Sequence, residues 1–159
     1  MLKEKNIGLI GIGLFACLIL QSITFLMFRI FEFVLIPTNI NGFLSYGISK
    51  YLSLAIGLIL FIVAINKIVR LDFDSLLVLK KTLIISFAAY FISELILFFQ
   101  PFIFSFFETP QYFNALENYY TTREENGFFK EILIDTPTRL IKTIVIFLFT
   151  LSKIKPKSV

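Results

Sequence analysis

The stretch IGLIGIGLFACLILQSITFLMFRI, residues 7–30, decides how this chain folds. From Ile7 to Phe28 it carries no charged residue. A helix rises ~1.5 Å per residue, so this run alone reaches ~33 Å, enough to cross the ~30 Å hydrocarbon core of a bilayer. Lys3 and Lys5 precede it, and Leu14-Phe15-Ala16-Cys17 imitates a lipoprotein cleavage site. Bulky Phe15 stands where cleavage wants a small residue, however, and the apolar run continues past Cys17, too long for a signal segment. The sequence therefore predicts a first transmembrane helix over about 7–30. It can project as far as Ile36 before Pro37 stops it.

Working outward, three more apolar stretches follow. One covers about 48–66 and is closed by Asn66, Lys67 and Arg70. The next covers about 80–104 and holds Pro101; Asp72-Phe73-Asp74-Ser75 ahead of it reads as a helix N-cap region. The last covers about 137–152. It opens on Thr136-Pro137, an N-cap followed by proline at the first helical position, and its Arg139 and Lys142 must snorkel to the interface. Composition agrees. Hydrophobic residues make up 57% of the chain and charged residues 16%, against about a quarter charged in soluble domains, so lipid must solvate much of the surface. The expected fold is all-α: one transmembrane domain over 1–159, built as a four-helix bundle.

Orientation follows from the basic residues. Lys3, Lys5, Lys67, Arg70, Lys80, Lys81, Lys153, Lys155 and Lys157 fall on one side. Arg29, Lys50, Arg123, Lys130, Arg139 and Lys142 are spread along the other, among Glu108, Glu117, Glu124, Glu125, Glu131 and Asp135. The positive-inside rule then puts both termini in the cytoplasm. Residue usage and the lack of an organelle signal suggest a bacterial inner (cytoplasmic) membrane.

The connection over 108–136 is no flexible linker. Tyr112, Phe113, Leu116, Tyr119 and Tyr120 recur at helical spacing and form one aromatic face. Two readings fit: an amphipathic helix on the membrane surface, or an aromatic cap over the bundle's outer end. Ser45, Ser49, Ser53 and Gly57 form a stripe of small residues on the second segment, a face suited to close helix packing.

The polar residues within the apolar segments are few. Glu94 lies about 12 residues past Thr82, hence ~18 Å into the core. Ser86, Ala89, Tyr90, Ser93, Leu97, Gln100 and Pro101 share its side of the helix. On the first segment Gly13, Cys17, Gln21, Thr24, Arg29 and Glu32 fall on one broad side, with Gln21 nearly level with Glu94. Glu94 and Gln21 are expected to face protein and approach each other. Arg29 can pair with Glu32 at i, i+3 or turn toward Glu94. Such a group is either a structural hydrogen-bond clamp or a protonatable ligand site comprising Glu94, Gln21, Tyr90 and Arg29.

Catalytic sets are missing. The chain has no histidine and one cysteine, which removes His-based nucleophilic catalysis and His-ligated zinc. Glu94 has no second carboxylate at its depth, Ser86 and Ser93 have no base beside them, and there is no phosphate-binding glycine loop. The expectation is a non-catalytic protein without cofactor, metal or nucleic-acid partner. It acts in the bilayer as an accessory or scaffold subunit, meeting other membrane proteins or itself. The alternative is an oligomeric proton-coupled carrier of a small or lipophilic solute, with Glu94 as the exchanging acid.

Overall fold

A computed structural model describes residues 2–70 and 75–153. These are helical, without strands: α1 (Leu2–Leu35), α2 (Gly42–Val69), α3 (Leu76–Ser105), α4 (Pro110–Glu125), α5 (Gly127–Lys130) and α6 (Thr136–Lys153). Asp72, Phe73, Asp74 and the C-terminal Lys155 and Lys157 lie outside the described residues; Ser75, before α3, makes no side-chain cap.

Among the described residues, three helices are long and apolar enough to cross a membrane, over Asn6–Thr38, Gly42–Val69 and Leu76–Ser105. The fourth expected segment, α6, does not join them. It has 18 residues and carries Arg139 and Lys142 within its first half.

Local chemistry explains the breaks. Pro37 ends α1 in a single 3-10 turn, Ile36–Thr38, and Asn39 closes it in the left-handed region at φ 54°, which Asn tolerates better than most residues. The Asn41 side chain then accepts the Phe43 N–H and caps α2. Thr136-Pro137 does not start a new helix after a loop. The chain runs from α5 through one π turn, Glu131–Asp135, directly into α6. Pro137 has no N–H to offer the Leu133 carbonyl, and the Tyr51 hydroxyl donates to that carbonyl instead.

The long helices do not close around a shared core. α1 packs against α2 and against α3, and α6 packs against α2 beside a crevice that it shares with α1. No comparable seam joins α3 to α2, α3 to α6, or α6 to α1 among the described residues. The result is an open row, α3–α1–α2–α6, where the sequence suggested a bundle. α3 has one neighbour in the row, so Leu79 and Gln100 are its only buried residues. Its Phe15–Phe87 and Phe33–Phe104 contacts show that it runs parallel to α1. Contacts at Tyr46–Asp135 and Phe61–Phe149 show that α6 descends beside α2 in the same direction.

The α1–α2 seam is close-packed. Ser45, Ser49 and Ser53 are at most 1% exposed. A Cβ added at Gly57 would lie 2.4 Å from Thr24 Oγ1. Small residues let the two backbones approach, as in other membrane helix pairs. On α1 the glycines that meet α3 are Gly8 and Gly11, against Leu79 and Leu83, whereas Gly13 meets nothing and Cys17 is exposed. The broad polar side expected for α1 is therefore not one packed face.

α4 lies across one end of the row, on α2 and the 3-10 turn. Tyr112, Ala115 and Tyr119 join Phe28, Ile36, Tyr46 and Ile134 in the core, with Leu116 packed against it. Phe113 stays exposed, and Tyr120 lies at the edge against Tyr119 and Arg123. The aromatic face thus divides. Most of it caps the helix ends, and its edge is left to the surroundings.

Candidate functional site

Two buried carboxylates organise the capped end. Glu32 is 3% exposed. It accepts from Arg29 at 2.7 Å and from the Tyr119 hydroxyl, and Arg123 stands 3.6 Å away. Asp135 is 7% exposed. It accepts from the Tyr46 hydroxyl at 2.7 Å, with Lys50 and Lys130 each at 3.7 Å. The Tyr46 ring lies between the two groups: Arg123, Lys50 and Lys130 each approach it within 5.5 Å of the centroid. Each carboxylate is thus held by two cations and a phenol, which offsets its desolvation. The cluster ties α1, α2, α4 and the π turn together.

The phenols of α4 respond to this setting. Burial, then the hydrogen bond to Glu32, pushes Tyr119 well above its ordinary range. Burial, then the nearby Glu108 charge, pushes Tyr112 up to about 12. Burial alone would lower the Arg123 guanidinium, but hydrogen bonding and charge from Tyr119, with Glu32 behind, hold it above its usual value.

Two of the openings along the row share a face. A groove of about 530 Å³ lies between α1 and α3, lined by Gln21, Ser22, Phe25, Tyr90, Glu94 and Phe98. A crevice of about 230 Å³ lies where α1 and α6 stand apart over α2. Gln21 and Phe25 line both, so the openings share one face of the row.

The expected site residues separate accordingly. Glu94, Tyr90 and Gln21 do meet in one groove. Glu94 is not enclosed by protein, however, because α3 has only one neighbour and the groove opens to the surface. Its hydrogen bond comes from the Ser22 hydroxyl at 2.5 Å, not from Gln21. Arg29 takes its intrahelical option, Glu32, and lies away from the groove. Sequence reasoning overlooked Ser22, Tyr46, Lys50 and Asp135. The pairings of Tyr46 with Asp135 and of Ser22 with Glu94 span 89 and 72 residues, and no local pattern announces them. One signal was legible: Lys50 lies one residue past Ser49 in the packing stripe, so its stem must start beside a buried seam.

Among the described residues, no group of three His, Cys, Asp or Glu could hold a metal ion. Comparisons of the chain with protein families, with characterised proteins and with solved structures find no match.

Proposed function

We propose that this chain is a non-catalytic membrane subunit whose open face is completed by another membrane protein or by further copies of itself. The observation that carries the proposal is Glu94. It sits on a helix long and apolar enough to cross a membrane, in a groove that the chain leaves uncovered. A carboxylate turned to hydrocarbon costs several kcal/mol or more, so a covering chain removes a real penalty. The single-sided packing of α3 supports the same reading.

The subunit crosses the bilayer four times, with both ends of the sequence cytoplasmic and α4 outside. Support comes from the basic residues at one set of helix ends and from the path of α6 beside α2, which makes a crossing despite its shorter apolar run. A bacterial inner membrane is the proposed setting.

Photo-crosslinking in native membranes tests this. Probes replacing Phe98 beside the groove should capture a stoichiometric partner that also survives mild detergent. A chain that purifies as a monomer, with no crosslink from Phe98, overturns the subunit role. A second reading draws on the same groove: its volume and protonatable acid suit a proton-coupled carrier. Glu94→Gln separates the two. A carrier loses pH-dependent transport, whereas a subunit keeps its partner.

A further inference from the structure

The crevice between α1, α2 and α6 gathers more positive charge than its walls neutralise. Lys50, Arg139 and Lys142 line it together with a single carboxylate, Asp135. Counting the outlying partners Lys130 and Glu131 as well, four cations face two carboxylates, an excess of two. Asp135 is already shared between Lys50, Lys130 and the Tyr46 hydroxyl. The Arg139–Glu131 pair at 3.6 Å is exposed on both sides, so solvent weakens it. Lys142 is half-buried and has no ion pair among the described residues.

The depth of these charges is informative. On α2 the cations Lys50 and Lys67 bracket an apolar stretch, 17 residues apart, or ~25 Å along the axis. That nearly matches a hydrocarbon core, and places Lys50 at its boundary. The register set by Tyr46–Asp135 and Phe61–Phe149 brings Arg139 level with Lys50, and Lys142 about one turn deeper. Side chains lean toward their helix N-terminus, so the Lys142 ammonium reaches back to the same level. Below it the crevice is mixed: Gln21, Thr24 and Ser53 line it together with Phe25 and Leu54.

We propose that this crevice binds a phosphate group, supplied by an anionic phospholipid. Lys142 and Arg139 make the charge contacts, Lys50 adds a third, and an acyl chain descends past Phe25 through the gap between α1 and α6. Basic pockets between membrane helices suit such headgroups on the cytoplasmic side; in the proposed topology this one draws its lipid from the outer leaflet. The site does not depend on the subunit reading.

Binding to the full chain, delipidated in a neutral detergent, tests the proposal by native mass spectrometry. Phosphatidylglycerol, phosphatidylcholine and inorganic phosphate are compared. Phosphatidylglycerol should bind. Replacing both Lys142 and Arg139 by Gln should weaken it about tenfold or more. Lys67→Gln, at the other end of α2, should leave binding unchanged. Gln21→Phe, which fills the crevice without touching a charge, should also exclude the lipid. Competition by millimolar inorganic phosphate would keep the phosphate site but assign it to a soluble anion. Equal binding of phosphatidylglycerol and phosphatidylcholine, or unchanged binding in the double variant, would overturn the proposal.

Discussion

Replacing Glu32 by Ala is the sharpest probe of what holds α4 in place. The carboxylate is 3% exposed and satisfies Arg29, Arg123 and the Tyr119 hydroxyl at once. Removing one member of a buried charge network generally costs 3–5 kcal/mol, because the partners remain unpaired. Here the stranded cations reach water, with Arg29 39% and Arg123 22% exposed. Solvent takes up part of their charge, so about 2–3 kcal/mol is the expected loss. Glu32→Gln keeps an acceptor for Tyr119 and should cost only about 1–2 kcal/mol. Tyr119→Phe removes a charge-assisted hydrogen bond of similar size. Combined with Glu32→Gln it should show coupling of about 1 kcal/mol, since the two changes share one bond. The assay is unfolding of the purified chain in mixed micelles, followed by helical circular dichroism, with protease cleavage of α4 as a local readout. The chain has no Trp, so an inserted Trp near Leu116 would give a fluorescence signal of undocking. The reasoning fails if Glu32→Ala unfolds within 0.5 kcal/mol of the parent and α4 stays protected.

Alkaline pH should undock the same helix. Tyr112 ionises near 10 when unfolded and at about 12 when folded. A raised folded value means that its stabilisation is whole below pH 10 and disappears as pH rises toward 12, so α4 should become protease-sensitive across that window and Tyr112→Phe should shift it upward. Gly57→Ala forces its Cβ onto Thr24 Oγ1, which is fixed by its bond to the Leu20 carbonyl, and should cost about 1–3 kcal/mol in micelle unfolding, with Thr24→Ala restoring much of it. Gly42→Ala meets the Tyr119 carbonyl, a backbone atom that cannot rotate away, so hydrogen exchange should show α4 released. Ser49 Oγ is buried without a hydrogen-bond partner, and Ser49→Ala should leave stability unchanged or raise it by up to ~1 kcal/mol in the same titration.

Helix content, the three long apolar segments and the small-residue stripe on α2 were all readable from residue order. Hydropathy and 3.6-residue periodicity are local properties, and lipid rewards them segment by segment. Pro37 marked the end of the first helix because its effect acts within a few residues; the Asn41 cap starts α2 at Gly42, ahead of the apolar stretch expected from about 48, because hydropathy reports the lipid-facing run and not the helix around it. Thr136-Pro137 shows the limit. The pair looks like a helix start, yet Tyr51, brought in from α2, satisfies the carbonyl that Pro137 leaves and lets the helix run through. Tertiary structure alone decided that α3 and α6 stand at opposite ends of an open row, that Glu94 takes its hydrogen bond from Ser22, and that Glu32 and Asp135 gather cations from distant segments. The physical reason is common to all three. Periodicity says which face of a helix is polar or small, but the neighbour that face meets depends on register and order among helices, and those are set by side chains far apart in the chain.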